Sequence, residues 1–303
     1  MPTPPCEKCV CAHCGHAGEA GMALLRPAFV RLACLVIAFA MLPVLTACRR
    51  VNPLEEMMAA VDDVRCGRIA QAYLRTGECL KVDSGYLDAR ILNSYCRFVL
   101  NASGDERDTA VYELGKCARL HPDNATAWYY YGYVLAVSGE KSRALEPLRK
   151  ALELMAPDEG ARSNVQLLLA ECCVANNLQD EAQRLLLPLL KQSEKRDSPQ
   201  LYNALGMLAL KRSQPGAAAG FFLRGLQANP HHEVLTRNLA VTFDLYLNRP
   251  AAAIPYYRQC LAMRARSGDQ AGVNEVVNRL RALTRYQKRR GGAVKTEHAG
   301  SRR

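Results

Sequence analysis

Cys6, Cys9, Cys11 and Cys14 follow the pattern Cys-x-x-Cys-x-Cys-x-x-Cys and form the densest set of potential metal ligands in the chain. Zinc sites use such thiolate pairs, but the pairs normally stand about a dozen or more residues apart so that four sulfurs can close a tetrahedron. Only Val10 separates them here, and a haem attachment run would need histidine directly after Cys14, where Gly15 stands. Met22-Ala-Leu-Leu-Arg26 reads as the start of a targeting segment. The expectation is that residues 1–21 precede the true initiator or leave with that segment, metal binding being the alternative. Beyond Cys48 the histidines are His121, His231, His232 and His298, and His231-His232 follow Pro230 in a turn, where solvated rings are expected. Glu55-Glu56 and Asp62-Asp63 read as helix-surface charges rather than an acid pair. No G-x-S-x-G, P-loop, H-E-x-x-H or G-x-G-x-x-G motif occurs. No catalytic residue, metal or cofactor is therefore expected, and the chain reads as a non-enzyme.

The first fifty residues carry an address. Arg26 and Arg31 precede an apolar run of 14 residues, Leu32–Leu45, followed by Thr46-Ala47-Cys48 and Arg49-Arg50. The run is shorter than the roughly 18 residues of a spanning helix, and Pro43 breaks its last turn. This is a secretory signal layout. Leu45-Thr46-Ala47-Cys48 resembles the lipobox of bacterial lipoproteins, in which small residues let the extended backbone enter a membrane peptidase and the cysteine thiol takes the lipid. The resemblance implies cleavage before Cys48, acylation of that residue and a lipid-anchored mature chain in the cell envelope. An uncleaved N-terminal anchor is the alternative. In that family Asp after the cysteine retains the protein at the inner membrane; Arg49 at this position points to the outer one. The seven later cysteines, Cys66, Cys79, Cys96, Cys117, Cys172, Cys173 and Cys260, are odd in number and irregularly spaced, so they do not form a disulfide framework. Most are expected to be small core residues. A Cys66–Cys79 pair stays open at this stage.

Composition favours helices: the chain is 49% hydrophobic and 23% charged, with one Trp and six Phe. The net charge of +11 invites a nucleic-acid reading, but nine basic residues against one acid lie between Arg279 and Arg303. Between Cys48 and Asn278, 28 basic residues meet 26 acidic ones. With an export signal ahead of it, the basic tail suits a solvated end or an anionic envelope surface, and no nucleic-acid partner is expected.

A repeat governs the body. Val99-Leu-Asn-Ala-Ser-Gly104 recurs as Val134-Leu-Ala-Val-Ser-Gly139, and the small residues Ala110, Ala144, Ala182, Ala218 and Ala253 are spaced by 34, 38, 36 and 35. Four residues after each anchor stand Leu114, Leu148, Leu186, Phe222 and Tyr257, and three further on Cys117, Ala151, Leu189, Gly225 and Cys260, a single helical face. A preceding helix carries Trp128-x-x-Tyr131-Gly132-x-x-Leu135, Gln166-x-x-Leu169-Ala170-x-x-Cys173, Tyr202-x-x-Leu205-Gly206-x-x-Ala209 and Thr236-x-x-Leu239-Ala240-x-x-Phe243. These residues resemble the tetratricopeptide repeat over roughly 86–265. The resemblance implies an all-α, right-handed solenoid of antiparallel helix pairs, with about five repeats and a C-terminal capping helix whose stripe is Val273, Val276, Val277, Leu280 and Leu283. Arg97 stands where the first copy needs a small residue, Ile69–Leu80 reads as a lone second helix, and Pro147, Pro188 and Pro255 are expected to kink their helices. The expected organisation is an upstream segment 1–21, a signal peptide 22–47, a tether and helix 48–85, the solenoid 86–265, a cap 266–290 and a flexible basic tail 291–303.

In tetratricopeptide proteins the first-helix positions around the small residue line a concave groove. Transferred here, the resemblance selects Tyr129, Tyr133, Leu167, Asn203, Met207, Lys211 and Arg237 as partner-binding residues, with Ala136, Val137, Glu171, Val174, Ala175, Leu210, Val241, Asp244 and Leu245 beside them. Val174, Ala175 and Val241 are expected to pack against a neighbouring repeat instead. Tyrosines supply area at low entropic cost, and the amide, lysine and arginine can hydrogen-bond a peptide. The implied function is an envelope interaction scaffold that binds a protein segment of pilus, secretion or cell-wall machinery. The competing class is an extracytoplasmic enzyme or redox protein that uses its cysteines outside known motifs.

Overall fold

The computed structural model describes residues 52–101, 103–157, 160–192 and 198–300, the stretch 287–300 by its backbone alone. Every regular element among them is helical: α1 (Pro53–Arg65), α2 (Ile69–Val82), α3 (Leu87–Leu100), α4 (Asp105–Leu120), α5 (Ala125–Val137), α6 (Lys141–Leu154), α7 (Arg162–Ala175), α8 (Gln179–Leu189), α9 (Pro199–Lys211), α10 (Pro215–Ala228), α11 (Glu233–Val241), α12 (Pro250–Ser267) and α13 (Gln270–Gly300). A π-turn, Thr242–Tyr246, extends α11. The chain divides into two compact units, one ending at Cys117 and the other beginning at Ala118.

In the first unit α1 packs on α2, and α2 on α3. The helix at Ile69 therefore has a partner that the repeat pattern did not disclose. Its local signals are conventional: the Asn52 side chain accepts from Leu54 N–H, Pro53 opens the helix and Glu55 and Glu56 occupy its positive end. Asp63 corrects the surface-charge expectation. It is buried, accepting from Arg68 Nε at 2.7 Å and Arg75 Nε at 2.9 Å, while Arg75 also holds Glu56 at 2.6 Å. Arg97 spans from α3 toward Glu106 at 3.7 Å. Arg107 lies 3.9 Å above the Phe98 ring.

The second unit is built from first-and-second helix pairs α5/α6, α7/α8, α9/α10 and α11/α12, with α13 packed on α12. The repeat anchors form its core: Ala144, Ala182, Ala218 and Ala253 are all fully buried, as are Leu148, Leu186 and Phe222. The small residues opposite them are steric necessities. A Cβ on Gly132 would come within 2.7 Å of Leu148 Cδ2, and one on Gly206 within 2.6 Å of Phe222 Cδ1. α6 and α12 run through Pro147 and Pro255, whereas α8 ends one residue beyond Pro188. α13 continues through Gly300, beyond the expected boundary at 290.

A left-handed residue recurs between the two helices of each pair. Gly67, Gly104, Gly139, Asn177, Ser213 and Asn248 all have positive φ, between 51° and 95°. After α5, Glu140 N–H reaches back to Leu135 C=O, and the same six-residue bond joins Leu178 to Cys173 and Gln214 to Ala209. These bonds satisfy terminal carbonyls while the left-handed residue turns the chain into the second helix. Glycine was a legible signal at three of these stops; Asn and Ser at the others were not.

Candidate partner-binding face

α5, α7, α9 and α11 touch in chain order, so their outer sides make one surface within the second unit. Gly132 and Gly206 face their partner helices and Ala170 and Ala240 are fully buried, while the residue after each is turned about 100° around the helix. Tyr133, Glu171, Met207 and Val241 occupy that next position, and all four are half-buried. Tyr129 sits one turn before Tyr133, with ring centroids 6.2 Å apart and planes tilted by 53°, while the Tyr130 ring is 5.2 Å from Tyr129. Burial, followed by the neighbouring phenols, pushes the Tyr129 hydroxyl well above its ordinary range, so it stays neutral. Val137 and Leu245 are 51% and 62% exposed, a large apolar share left in water on this face.

The polar candidates are partly engaged. Asn203 Oδ1 accepts from Asn238 Nδ2 at 2.7 Å, tying α9 to α11, and Lys211 Nζ donates to Asn177 Oδ1 at 3.0 Å. Arg237 lies 3.8 Å from Glu275 with both side chains largely in solvent, an ion pair of small net worth and easily exchanged. Met207 packs beside the core cluster of Phe222, Leu235 and Leu239, and Leu167 is half-buried on α7. Val174 is buried, Val241 half-buried and Ala175 exposed. The Glu171 carboxyl is pushed upward by burial, with Lys141 acting against the shift.

Asp244 departs most from its expected place. It is buried inside the π-turn, accepts from Arg279 Nε at 2.6 Å and Nη2 at 2.7 Å, and takes the Tyr257 hydroxyl at 3.1 Å. Arg279 thus belongs to a lock between α13 and the preceding repeat rather than to a basic tail. The π-turn also leaves Tyr246, absent from the expected set, 54% exposed beside Leu245. The signal for such pairs is a complementary polar residue about one repeat away, as in Asn203 and Asn238, Asn177 and Lys211, and Asp244 and Arg279. His232, expected in a solvated turn, instead caps α11: its Nδ1 accepts from Leu235 N–H at 3.3 Å.

Cys79, Cys96, Cys117, Cys172, Cys173 and Cys260 are buried as free thiols, and Cys66 is free and exposed. Burial pushes Cys96 and Cys173 up to about 12 and Cys172 and Cys260 up to about 11. Such thiols are poor nucleophiles at neutral pH. Among the described residues no cluster of three His, Cys, Asp or Glu side chains is placed to hold a metal. No described helix is long and apolar enough to cross a membrane. Cys6, Cys9, Cys11, Cys14, the apolar run and Cys48 lie outside the described residues, as do 301–303 of the basic tail.

Comparison with known proteins rests on the helix pairs. Residues 105–161 match the tetratricopeptide repeat family model. No curated protein matches the sequence. The structure is similar to PilW, described as a widely conserved type IV pilus biogenesis factor: TM-score 0.59 at 17% identity, covering 74% of this chain and 98% of that one. PilF of Pseudomonas aeruginosa gives 0.55 at 16% identity, with 74% and 95% coverage. A tetratricopeptide repeat protein from Parabacteroides merdae gives 0.53 at 14%, with 84% and 94%. At these identities the likeness is one of fold. Residues 105–161 carry a recognisable tetratricopeptide repeat, and the described chain has the all-helical fold of tetratricopeptide solenoids.

Proposed function

We propose that this chain is a protein-interaction scaffold, anchored in the bacterial envelope by lipid on Cys48, that takes a partner segment on the face formed by α5, α7, α9 and α11. The observation that carries the reading is that face. Four adjacent helices leave Tyr133, Val137, Met207 and Leu245 at least partly open, with Lys211 and Arg237 at hand for hydrogen bonds. Apolar area beside exchangeable cations suits an extended or helical peptide better than a small polar substrate. The anchor rests on Leu45-Thr46-Ala47-Cys48 behind its charged and apolar lead-in, with Arg49 favouring the outer membrane. The fold shared with a pilus biogenesis factor makes a pilus, secretion or cell-wall assembly the partner class of choice. The test is affinity purification of the tagged full chain from membranes, with a Cys48→Ser chain in parallel. A stoichiometric protein partner with the wild-type chain, and accumulation of the Cys48→Ser chain as a larger, unacylated precursor, are expected. A wild-type chain that purifies alone, or whose N-terminal peptide is unacylated, contradicts the reading.

A further inference from the structure

Five described carboxylates of the second unit are fully or partly buried: Glu140, Glu171, Glu181, Glu233 and Asp244. Taking an acid out of water without a counter-charge is costly, and four of the five are answered by an arginine. Arg143 holds Glu140, Arg149 holds Glu181 through two bonds of 2.7 Å, Arg264 holds Glu233 at 2.9 Å and Arg279 holds Asp244. Glu171 has no hydrogen bond or ion pair to a described residue, and exposed Lys141 at the start of α6 acts on it only at longer range.

Glu171 follows Ala170 on α7 as Tyr133 follows Gly132 on α5. α5 and α7 touch, so the two positions are one helix spacing apart, roughly 8–10 Å between axes. On α5 the Tyr130 and Tyr133 rings stand 5.2 and 6.2 Å from that of Tyr129, and all three rings are half-buried. Aromatic faces attract cations through their quadrupole, more strongly where water is partly excluded. A carboxylate without its cation and a cluster of phenol rings therefore border one strip of the face, and both select positive charge. Met207, at the same position on α9, bounds the strip with apolar surface, and the face cations Lys211 and Arg237 are engaged by Asn177 and Glu275.

We propose that the strip between Tyr133 and Glu171 is a subsite for one lysine or arginine side chain of the partner segment, its cation paired with the Glu171 carboxylate and its aliphatic stem laid against the Tyr129 and Tyr133 rings. The subsite rests on the reading that the face across α5 to α11 holds the partner, and it names the chemistry recognised there. The stem covers apolar ring surface, and the cationic head replaces the water that the carboxylate has lost. An acidic side chain at the same place is repelled, so basic segments are selected over acidic ones.

The test begins without a ligand. Glu171→Gln, isosteric and uncharged, should leave the circular dichroism of the full chain unchanged and its melting temperature equal or higher, since no internal cation loses a partner. A marked fall in melting temperature would place the cation within the chain and overturn the proposal. The detergent-solubilised full chain is then panned with a phage-displayed library of random 12-residue peptides, and those enriched should share a lysine or arginine. For the tightest of them, replacing that residue by norleucine should weaken binding at least about tenfold in fluorescence anisotropy. On the Glu171→Gln chain the same replacement should have no further effect, and on Glu171→Lys the preference should turn to glutamate. Enriched peptides that are weakened by Arg237→Ala yet carry no basic residue, or that bind Glu171→Gln as well as wild type, overturn the subsite and leave the face standing. Peptides indifferent to Arg237→Ala and Glu171→Gln alike, or a library from which none is enriched, contradict both.

Discussion

Asp244 and Arg279 meet through two hydrogen bonds of 2.6 and 2.7 Å, with the carboxylate 3% and the guanidinium 41% exposed. The pair joins a π-turn to the last helix, and Tyr257 donates a third bond to the same carboxylate. Removing the cation leaves a buried acid without its charge partner. Arg279→Ala should cost about 2–3 kcal/mol, below the cost of breaking a fully buried pair because water reaches the guanidinium. A double-mutant cycle with Asp244→Asn should show coupling on the order of 1 kcal/mol or more by urea unfolding. Additive losses would mean that the two side chains stabilise the fold separately.

Gly206 tests the helix spacing. Gly206→Ala places a methyl within 2.6 Å of the Phe222 ring, which is itself fully buried, so about 1–3 kcal/mol should be lost to overpacking. Gly220 in α10 has no atom within 4 Å of an added Cβ, and Gly220→Ala should stabilise by about 0.4–1 kcal/mol. Thermal melts of the two variants should therefore move in opposite directions.

The repeat core was legible because its chemistry is periodic. Alanine at 110, 144, 182, 218 and 253, and Leu or an aromatic four residues on, recur at one helical face, and all five alanines are fully buried. α1 was not legible, since Pro53–Arg65 lacks the small-residue pattern and shows only a cap and an acidic first turn. Asp63 and Asp244 escaped for a different reason: their cations are respectively five, twelve and 35 residues away, and Arg279 stands in a stretch dense with basic residues. For the proposed binding face the sequence offered candidate positions only; their polar pairing was not legible, because Asn203 and Lys211 find partners one repeat away, which no local pattern reports.

His232 gives the second unit a pH dependence. Burial lowers its pKa from the ordinary 6.5, and its Nδ1 must be unprotonated to accept the Leu235 N–H. The unfolded chain therefore takes up the proton at higher pH than the folded one. Stability from this group is present above about pH 6.5 and declines as pH falls through the lower folded value. His232→Asn keeps a capping side chain without titrating, so urea midpoints measured between pH 7.5 and 5 should fall less steeply for the variant. Parallel curves would show that the imidazole does not titrate across folding.

Thiol access should separate the cysteines. Brief alkylation of the native protein followed by peptide mass analysis should label Cys66 well ahead of Cys79, Cys96, Cys117, Cys172, Cys173 and Cys260, which are buried. Fast labelling at Cys172 or Cys173, whose thiols burial holds at about 11 and 12, would revive a redox role.

The scaffold reading is tested most directly by titrating the co-purified partner against Tyr133→Ala, Arg237→Ala and Leu205→Ala under one salt condition. Tyr133 and Arg237 lie on the outer face, whereas Leu205 is a buried core residue. The first two substitutions should weaken binding by roughly 30-fold, or about 2 kcal/mol each, with melting temperatures close to wild type. Leu205→Ala should cost about 2–5 kcal/mol of stability, lowering the melting temperature, and leave affinity per folded molecule unchanged. If Tyr133→Ala and Arg237→Ala instead unfold the chain while the folded fraction binds as well as wild type, the face across α5 to α11 is a packing surface and does not hold the partner.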